Sequence, residues 1–171
     1  DNADDLCCAR AIVTAKARLD KREKWENIRK GYEPQRALAL ALHTAAQVTE
    51  KECGIEEIKK IQAVLNEYQL HVVSADHFNA IIYAGPDAGK KLYLYYHDNH
   101  FDVITSMAAF LSRSYYCTNC NTGYEHKEKH ACNNVCPACH KIHVVDGYNS
   151  LHCEICNRFF RGQACFDLHK R

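Results

Sequence analysis

Eight of the 11 cysteines in this chain of 171 residues fall after residue 116, and six of those eight form three C-x2-C pairs between Cys117 and Cys156. An odd cysteine count, with several histidines interleaved among the pairs, does not suit a disulfide framework. Two C-x2-C turns that bring four thiolates to tetrahedral geometry suit zinc, and hence a reducing, intracellular compartment (cytoplasm or nucleus). The chain is therefore expected to have two parts. Before about Ser114 it is rich in Ala, Leu, Ile and Val with helix and strand periodicity; after it come Cys, His, Asn and Lys. The reading is a globular α+β domain over 1–114 and a zinc-binding Cys/His-rich region over 115–171, with two or three sites.

The candidate ligands are Cys117, Cys120, His130, Cys132, Cys136, Cys139, Cys153, Cys156, Cys165 and His169, with His126, His140, His143 and His152 nearby. Cys117, Cys120, His130 and Cys132 make one complete four-ligand set. Cys153-x2-Cys156-x3-Phe160-x5-Phe166-x2-His169 resembles a C2H2 finger through its first histidine, and its second histidine would lie beyond Arg171. Cys165 precedes His169 by one helical turn on the same face, which favours Cys153, Cys156, Cys165 and His169 as a closed site. Cys136 and Cys139 then need partners such as His140 or His143. A ribbon of Cys136, Cys139, Cys153 and Cys156 is the rival partition, and a cross-braced arrangement a third. Lys127, Lys129, Lys141, Arg158, Arg161, Lys170 and Arg171 are too scattered for a DNA-binding stripe, so structural staples or a protein-binding role lead over nucleic-acid contact.

Charge is balanced, 22 Lys+Arg against 21 Asp+Glu, which provides no global attraction to nucleic acid or an anionic membrane. No apolar run approaches the roughly 18 residues of a membrane span, and no signal-peptide pattern is present. The first residue is Asp1 rather than Met, so a fragment or processed piece is expected.

In the first part, Asp4 or Asp5 is a plausible N-cap for a helix running to about Lys24. Pro34-Gln35 opens a second helix carrying Leu38, Leu42 and Ala45 at helical spacing, and Ile55, Ile58, Ile61 and Leu65 mark a third. Strand-like runs follow over 69–74, 80–84, 91–97 and 101–104, the middle two joined as a hairpin through Gly85 to Lys90. A short helix over 106–111 closes the domain. Helices first and strands later predict an α+β domain with an antiparallel sheet. Gly85-Pro86-Asp87-Ala88-Gly89-Lys90 is one residue short of a phosphate loop and lacks the following Ser or Thr, so a turn is the better reading. His71 and His77 read as sheet-edge residues, and Cys53 as a small residue at a helix boundary.

Helical phase separates the adjacent Cys7 and Cys8. Residues 8, 12, 15 and 19 (Cys8, Ile12, Ala15, Leu19) form an apolar stripe, and Cys7 is turned about 100° from it. Cys8 belongs to the core; Cys7 belongs to the first turn, where free N–H groups favour a thiolate and an oxyanion. His100 and Asp102, at i and i+2 along a strand, point the same way, so Asp102 can orient the His100 ring. A thiol at a helix start with a carboxylate-held imidazole is a cysteine-protease constellation.

These residues also carry a family resemblance. Asp4-Asp5-Leu6-Cys7-Cys8-Ala9-Arg10-Ala11 resembles the D-G-x-C-L-F-R-A signature of ovarian-tumour-type (OTU) cysteine proteases, with Asp5 in place of Gly and Cys8-Ala9 in place of Leu-Phe. The strand Leu92 to Tyr96 followed by Asn99-His100-Phe101-Asp102-Val103-Ile104 is similar to the family's terminal N-H-Y-D motif. The resemblance spans about residues 1–105. It implies a papain-like fold and a Cys7, His100, Asp102 triad, with Asp4 and Asn2 in the oxyanion loop. It also implies cleavage after the C-terminus of ubiquitin or a ubiquitin-like protein. The stretch VVSADHFNAIIYAG and the ending FF-x-G-Q-x-C-F-D-x-H further resemble modules of Maverick/Polinton-type mobile elements, where an OTU-like segment and Cys/His fingers precede a family-B DNA polymerase. The alternative is a non-catalytic zinc-finger module of such an element that binds nucleic acid or protein.

Overall fold

The computed structural model describes residues 4–49, 53–130, 132, 139 and 150–170. The chain divides into two compact units, Asp1–Ile104 and Thr105–Arg171. The first begins with four helices: α1 (Cys7–Leu19), α2 (Trp25–Arg29), α3 (Glu33–Ala46) and α4 (Ile55–Ala63). Strands β1 (Tyr68–Ser74), β2 (Ala80–Ala84), β3 (Lys90–His97) and β4 (His100–Ile104) follow. The unit is mixed α+β. Among the described residues no helix is long and apolar enough to cross a membrane.

Helix α1 is the hub. It packs on α2, α3, β3 and β4. Its sequence suits that position, because Cys8, Ala9, Ala11, Ala15 and Ala17 are small and buried, with Ile12 filling the widest gap. Small side chains let several neighbours approach one helix closely, and alanine has the lowest helical cost. The helix ends five residues before the expected Lys24. Lys21 adopts φ 51°, and the Arg22 amide donates back to the Ala17 carbonyl at 3.1 Å, the backbone pattern of a left-handed helix stop. Neither Asp4 nor Asp5 is the N-cap, which falls on Leu6. Asp4 instead accepts from the Leu6 amide at 3.3 Å and from Arg10. In α3 Pro34 occupies the first turn, and Gln47 at φ 55° ends the helix. In α4 the Gly54 amide donates to Glu57 at 2.9 Å.

The sheet departs from the expected antiparallel form. Its order is β2-β1-β3-β4, with β1–β2 and β3–β4 antiparallel but β1–β3 parallel. The 80–84 and 91–97 strands are therefore not a hairpin: β1 lies between them. The physical reason is visible in β1, where Leu70, His71, Val72, Val73 and Ser74 are all buried. A strand buried on both faces belongs in the middle of a sheet, next to a parallel neighbour. His71 is accordingly no edge residue; it stacks on Tyr93 at 4.5 Å. The Gly85 to Lys90 segment crosses below β1 and is tied there by Gly85 N to Leu70 O at 2.9 Å and by Gln69 Nε2 to Gly85 O at 2.8 Å.

The second unit starts at Thr105, ten residues before the composition change. Its first helix, α5 (Met107–Phe110), packs on the hairpin of β5 (Tyr115–Cys117) and β6 (Thr122–Tyr124), and Ser114 donates to Glu125 at 2.6 Å. The 106–111 helix thus belongs with the Cys/His region and does not close the first unit. Strands β7 (Ser150–Cys153) and β8 (Arg158–Arg161) and helix α6 (Gly162–Lys170) then form a ββα unit around Phe160.

Gly85 is the position where backbone and side chain meet most tightly. A Cβ there would lie 2.1 Å from Gln62 Oε1. That side chain cannot yield, because Oε1 accepts from Leu70 N at 2.8 Å and Nε2 donates to Tyr68 O at 2.7 Å. Gly85→Ala should destabilise the first unit by about 2–3 kcal/mol in urea unfolding, whereas Gly89→Ala, which meets nothing within 4 Å, should change it by less than about 0.5 kcal/mol.

Candidate thiol and metal sites

Cys7 stands on the first turn of α1, half-buried, while Cys8 is fully buried beside Cys53. The division expected from helical phase is the one observed. Asp4, Cys7, His100 and Asp102 all line one cavity of about 460 Å³ in the first unit, together with Arg10, Thr14, Arg29, Gln35 and Phe101. Asn2 lies outside the described residues.

The entrance to α1 is held by a polar lattice. Arg10 donates to both Asp4 oxygens, at 3.2 and 2.6 Å, and to Gln35 Oε1 at 2.8 Å. Gln35 in turn donates to Ile28 O at 2.9 Å and to Thr14 Oγ1 at 3.1 Å, and Thr14 donates to Arg10 O at 2.7 Å. The bidentate Arg10 fork holds the Asp4 carboxyl below its usual pKa. Asp4 is thereby a clamp that fixes the segment leading into Cys7.

On the other wall, β4 presents His100 and Asp102. Their placement follows from the β3–β4 hairpin, whose two turn residues, Asp98 and Asn99, have φ of 48° and 57°. Such a left-handed two-residue turn matches strand twist and fixes register, pairing His97 with His100 and Tyr95 with Asp102. His100 Nε2 lies 3.5 Å from Asp102 Oδ1. The other oxygen, Oδ2, is 2.6 Å from Nε2 of His97, a residue that sequence reasoning passed over. The signal for it was the Asp-Asn turn flanked by two histidines, which already implied a facing pair.

Burial pushes the Cys7 thiol above its ordinary pKa, against the pull of the backbone amides of Phe101 and Cys8. Cys8 is pushed up much further, by its hydrogen bond with Cys53 and by burial. Among the described residues no hydrogen bond joins Cys7 Sγ to His100. At rest, then, burial favours the thiol form of Cys7, and the His100 imidazole lines the same cavity.

The second unit gathers two sets of metal-ligand atoms. Cys117, Cys120, His130 and Cys132 have their four ligand atoms within 4.8 Å of one another; Cys153, Cys156 and His169 have their three within the same distance. Cys117 and Cys132 sulfurs are 3.5 Å apart, Cys120 Sγ and His130 Nε2 3.8 Å, and Cys156 Sγ and His169 Nε2 3.3 Å. Bonds of about 2.0–2.3 Å from a tetrahedral zinc give ligand–ligand edges of this size. Both sets are compatible with zinc, the first offering four ligand atoms and the second three among the described residues. Each knuckle reads C-x2-C-N, and both asparagines, Asn121 and Asn157, take φ of 51° and 56°. The chain can then turn its amides toward the first sulfur. Burial opposes it, but the Cys120 amide, His130, Cys132 and the Asn119 amide bring the Cys117 thiol down to about 6. The Cys156 amide leads the same effect at Cys153, also to about 6. The ligating imidazoles are backed by rings: His130 stacks on Tyr124 at 4.1 Å and His169 on Phe160 at 4.2 Å.

Cys165 does not join the expected set. It is fully buried in a cluster with Cys139, Cys153 and Phe160. It shares a helix face with His169, but its sulfur is not among the atoms gathered with Cys153, Cys156 and His169; it is packed in the core of the ββα unit instead. Cys136, His140 and His143 lie outside the described residues.

No family model, curated protein or solved structure matches this chain.

Two outcomes follow from these geometries. Cys120→Ser should lower the zinc bound per chain by one equivalent in native mass spectrometry, while Cys165→Ser should leave the metal count unchanged and reduce thermal stability. The alkylation rate of the Cys7 peptide by iodoacetamide should keep rising as pH passes the ordinary thiol range, because the resting form is the thiol; a plateau near neutral pH would contradict the burial argument.

Proposed function

We propose that the first unit is an OTU-type thiol hydrolase, a cysteine protease acting on the C-terminus of ubiquitin or a ubiquitin-like protein. The second unit is its zinc-stapled companion. The observation that carries the reading is that a half-buried helix-start thiol, Cys7, and the His100–Asp102 pair of β4 line one cavity. These residues also stand where the resemblance to OTU proteases puts nucleophile, base and orienting acid.

The reaction runs through a thioester. With Nε2 of His100 facing Asp102, Nδ1 is the nitrogen that takes the Cys7 proton. The sulfur attacks the carbonyl carbon of the acyl donor's terminal residue. The oxyanion is received by the free N–H groups of the first turn of α1. Collapse of the tetrahedral intermediate expels the amine, which takes the proton from His100. Water, giving a proton to His100, then adds to the thioester and releases the carboxylic acid and the Cys7 thiol. Substrate supplies the closure that brings thiol and imidazole into contact, since catalytic hydrogen bonds often tighten only in the complex. Raising the thiol's pKa at rest keeps the free enzyme insensitive to oxidation. In the second unit zinc would tie Cys117 and Cys120 of one hairpin to His130 and Cys132 after it, and Cys153 and Cys156 of the other to His169 on α6, a structural role with no part in the chemistry.

Ubiquitin carrying a C-terminal electrophile should form one covalent adduct on the Cys7 peptide, read by mass spectrometry. Cys7→Ala should abolish it, Cys8→Ala should retain it, and His100→Ala should slow it by roughly a hundredfold. An adduct on Cys8, or no adduct together with salt-sensitive binding to DNA, would overturn the reading.

A further inference from the structure

We propose that His97 is a positioning residue which anchors Asp102, so that the carboxylate's second oxygen is presented to His100. The proposal rests on the thiol-hydrolase reading given above. Its ground is the asymmetry of the Asp102 contacts: Oδ2 is 2.6 Å from His97 Nε2, whereas Oδ1 is 3.5 Å from His100 Nε2. The better bond belongs to the histidine that the cavity does not include.

Asp102 needs an anchor. Its side chain is 55% exposed, and a solvated carboxylate on a strand surface rotates freely between rotamers. His97 is built to hold it. The ring stacks on Tyr95 at 4.8 Å, and its Nδ1 lies 3.3 Å from Asp98 Oδ2. Both nitrogens are engaged and one face is covered, so the ring is fixed at both ends. The hairpin supplies the remaining constraint: His97 pairs with His100 across the strands, and Tyr95 pairs with Asp102, so His97 reaches Asp102 diagonally on one face of the sheet. One carboxylate thus serves two imidazoles through its two oxygens. The pair is charge-assisted, since hydrogen bonds with Asp102 first and Asp98 second raise the His97 pKa. It is strongest below that value and weakens to a neutral N–H···O bond as pH rises through it.

A positioning role differs from a surface ion pair in what it moves. On the full chain, NMR titration of the labelled histidines should show the His97 pKa falling toward the ordinary imidazole value in Asp102→Asn; an unchanged His97 titration overturns the anchor whatever the activity. With the ubiquitin electrophile, His97→Phe keeps a ring over Tyr95 but has no N–H to donate. It should lower the maximal labelling rate of Cys7 on the order of tenfold at unchanged half-saturation, and His97→Gln, which can still donate, should recover most of that rate. A His97→Phe chain that labels as fast as the parent or faster overturns the proposal. No labelling of the parent itself overturns the hydrolase reading on which it rests, and the titration still reports the anchor independently.

Discussion

Helix α1 can lie against β4 because its contact residues are cysteine and alanine. Everything at the candidate thiol site depends on that close approach. A leucine at 8, 11 or 15 would hold the strand away, and the Phe101 amide would no longer reach the Cys7 sulfur. The approach also commits the start of α1 to the interior, where its charged neighbours need partners. Arg10 is buried among the alanines of α1, and it is tolerated because Asp4 and Gln35 satisfy its fork. Removing one member would leave a buried charge or amide unpaired, which costs more than the pair contributes. The lattice of Asp4, Arg10, Thr14 and Gln35 therefore ties the nucleophile's approach segment to two other helices through groups that cannot be lost singly.

The same close packing sets the electrostatics. A thiol that is half taken from water is harder to ionise, and two amides do not make up the difference. Under the proposed hydrolase reading, its reactivity would come from a base that engages with substrate. On β4 the Asp102 carboxylate lies closer to His97, at 2.6 Å, than to His100, at 3.5 Å.

Much of this was legible in the sequence, and the failures have specific causes. Helices α3 and α4 and all four strands of the first unit are where periodicity puts them, and α1 begins there too but stops five residues early. The pairing of the strands was misread. The Gly85 to Lys90 stretch has turn composition, and composition cannot tell a hairpin from a crossing beneath a neighbouring strand; the continuous burial of β1 was the missed sign. The unit boundary was misplaced because residues 105–114 are ordinary in composition, while their partners, β5 and β6, are held to them by Arg113, Ser114 and Glu125. Phase separates Cys7 from Cys8 as observed, yet it cannot tell a ligand from a core thiol, and Cys165 goes into the hydrophobic cluster. His97 was overlooked because attention to i, i+2 spacing within one strand ignores the partner across the turn.

Metal and folding are one problem in the second unit. Its buried apolar cluster among the described residues is Cys139, Cys153, Phe160 and Cys165, with Phe166 and Leu168 partly covered against it. Burying one large ring and three small thiols contributes only a few kcal/mol at about 25 cal/mol per Å². That is far below the ordering entropy of two hairpins and a helix. With zinc held at the two Cys/His sets, ligand bonds would add to that core, as they do in small Cys/His sites. The first unit, with its layered core of Ile12, Ile58, Ile61, Leu70 and Leu94, has no such debt. Chelation should therefore act on the two units unequally. If those sites hold zinc, it would loosen the ββα element and its companion hairpin, while the packing of α1 on β4 persists.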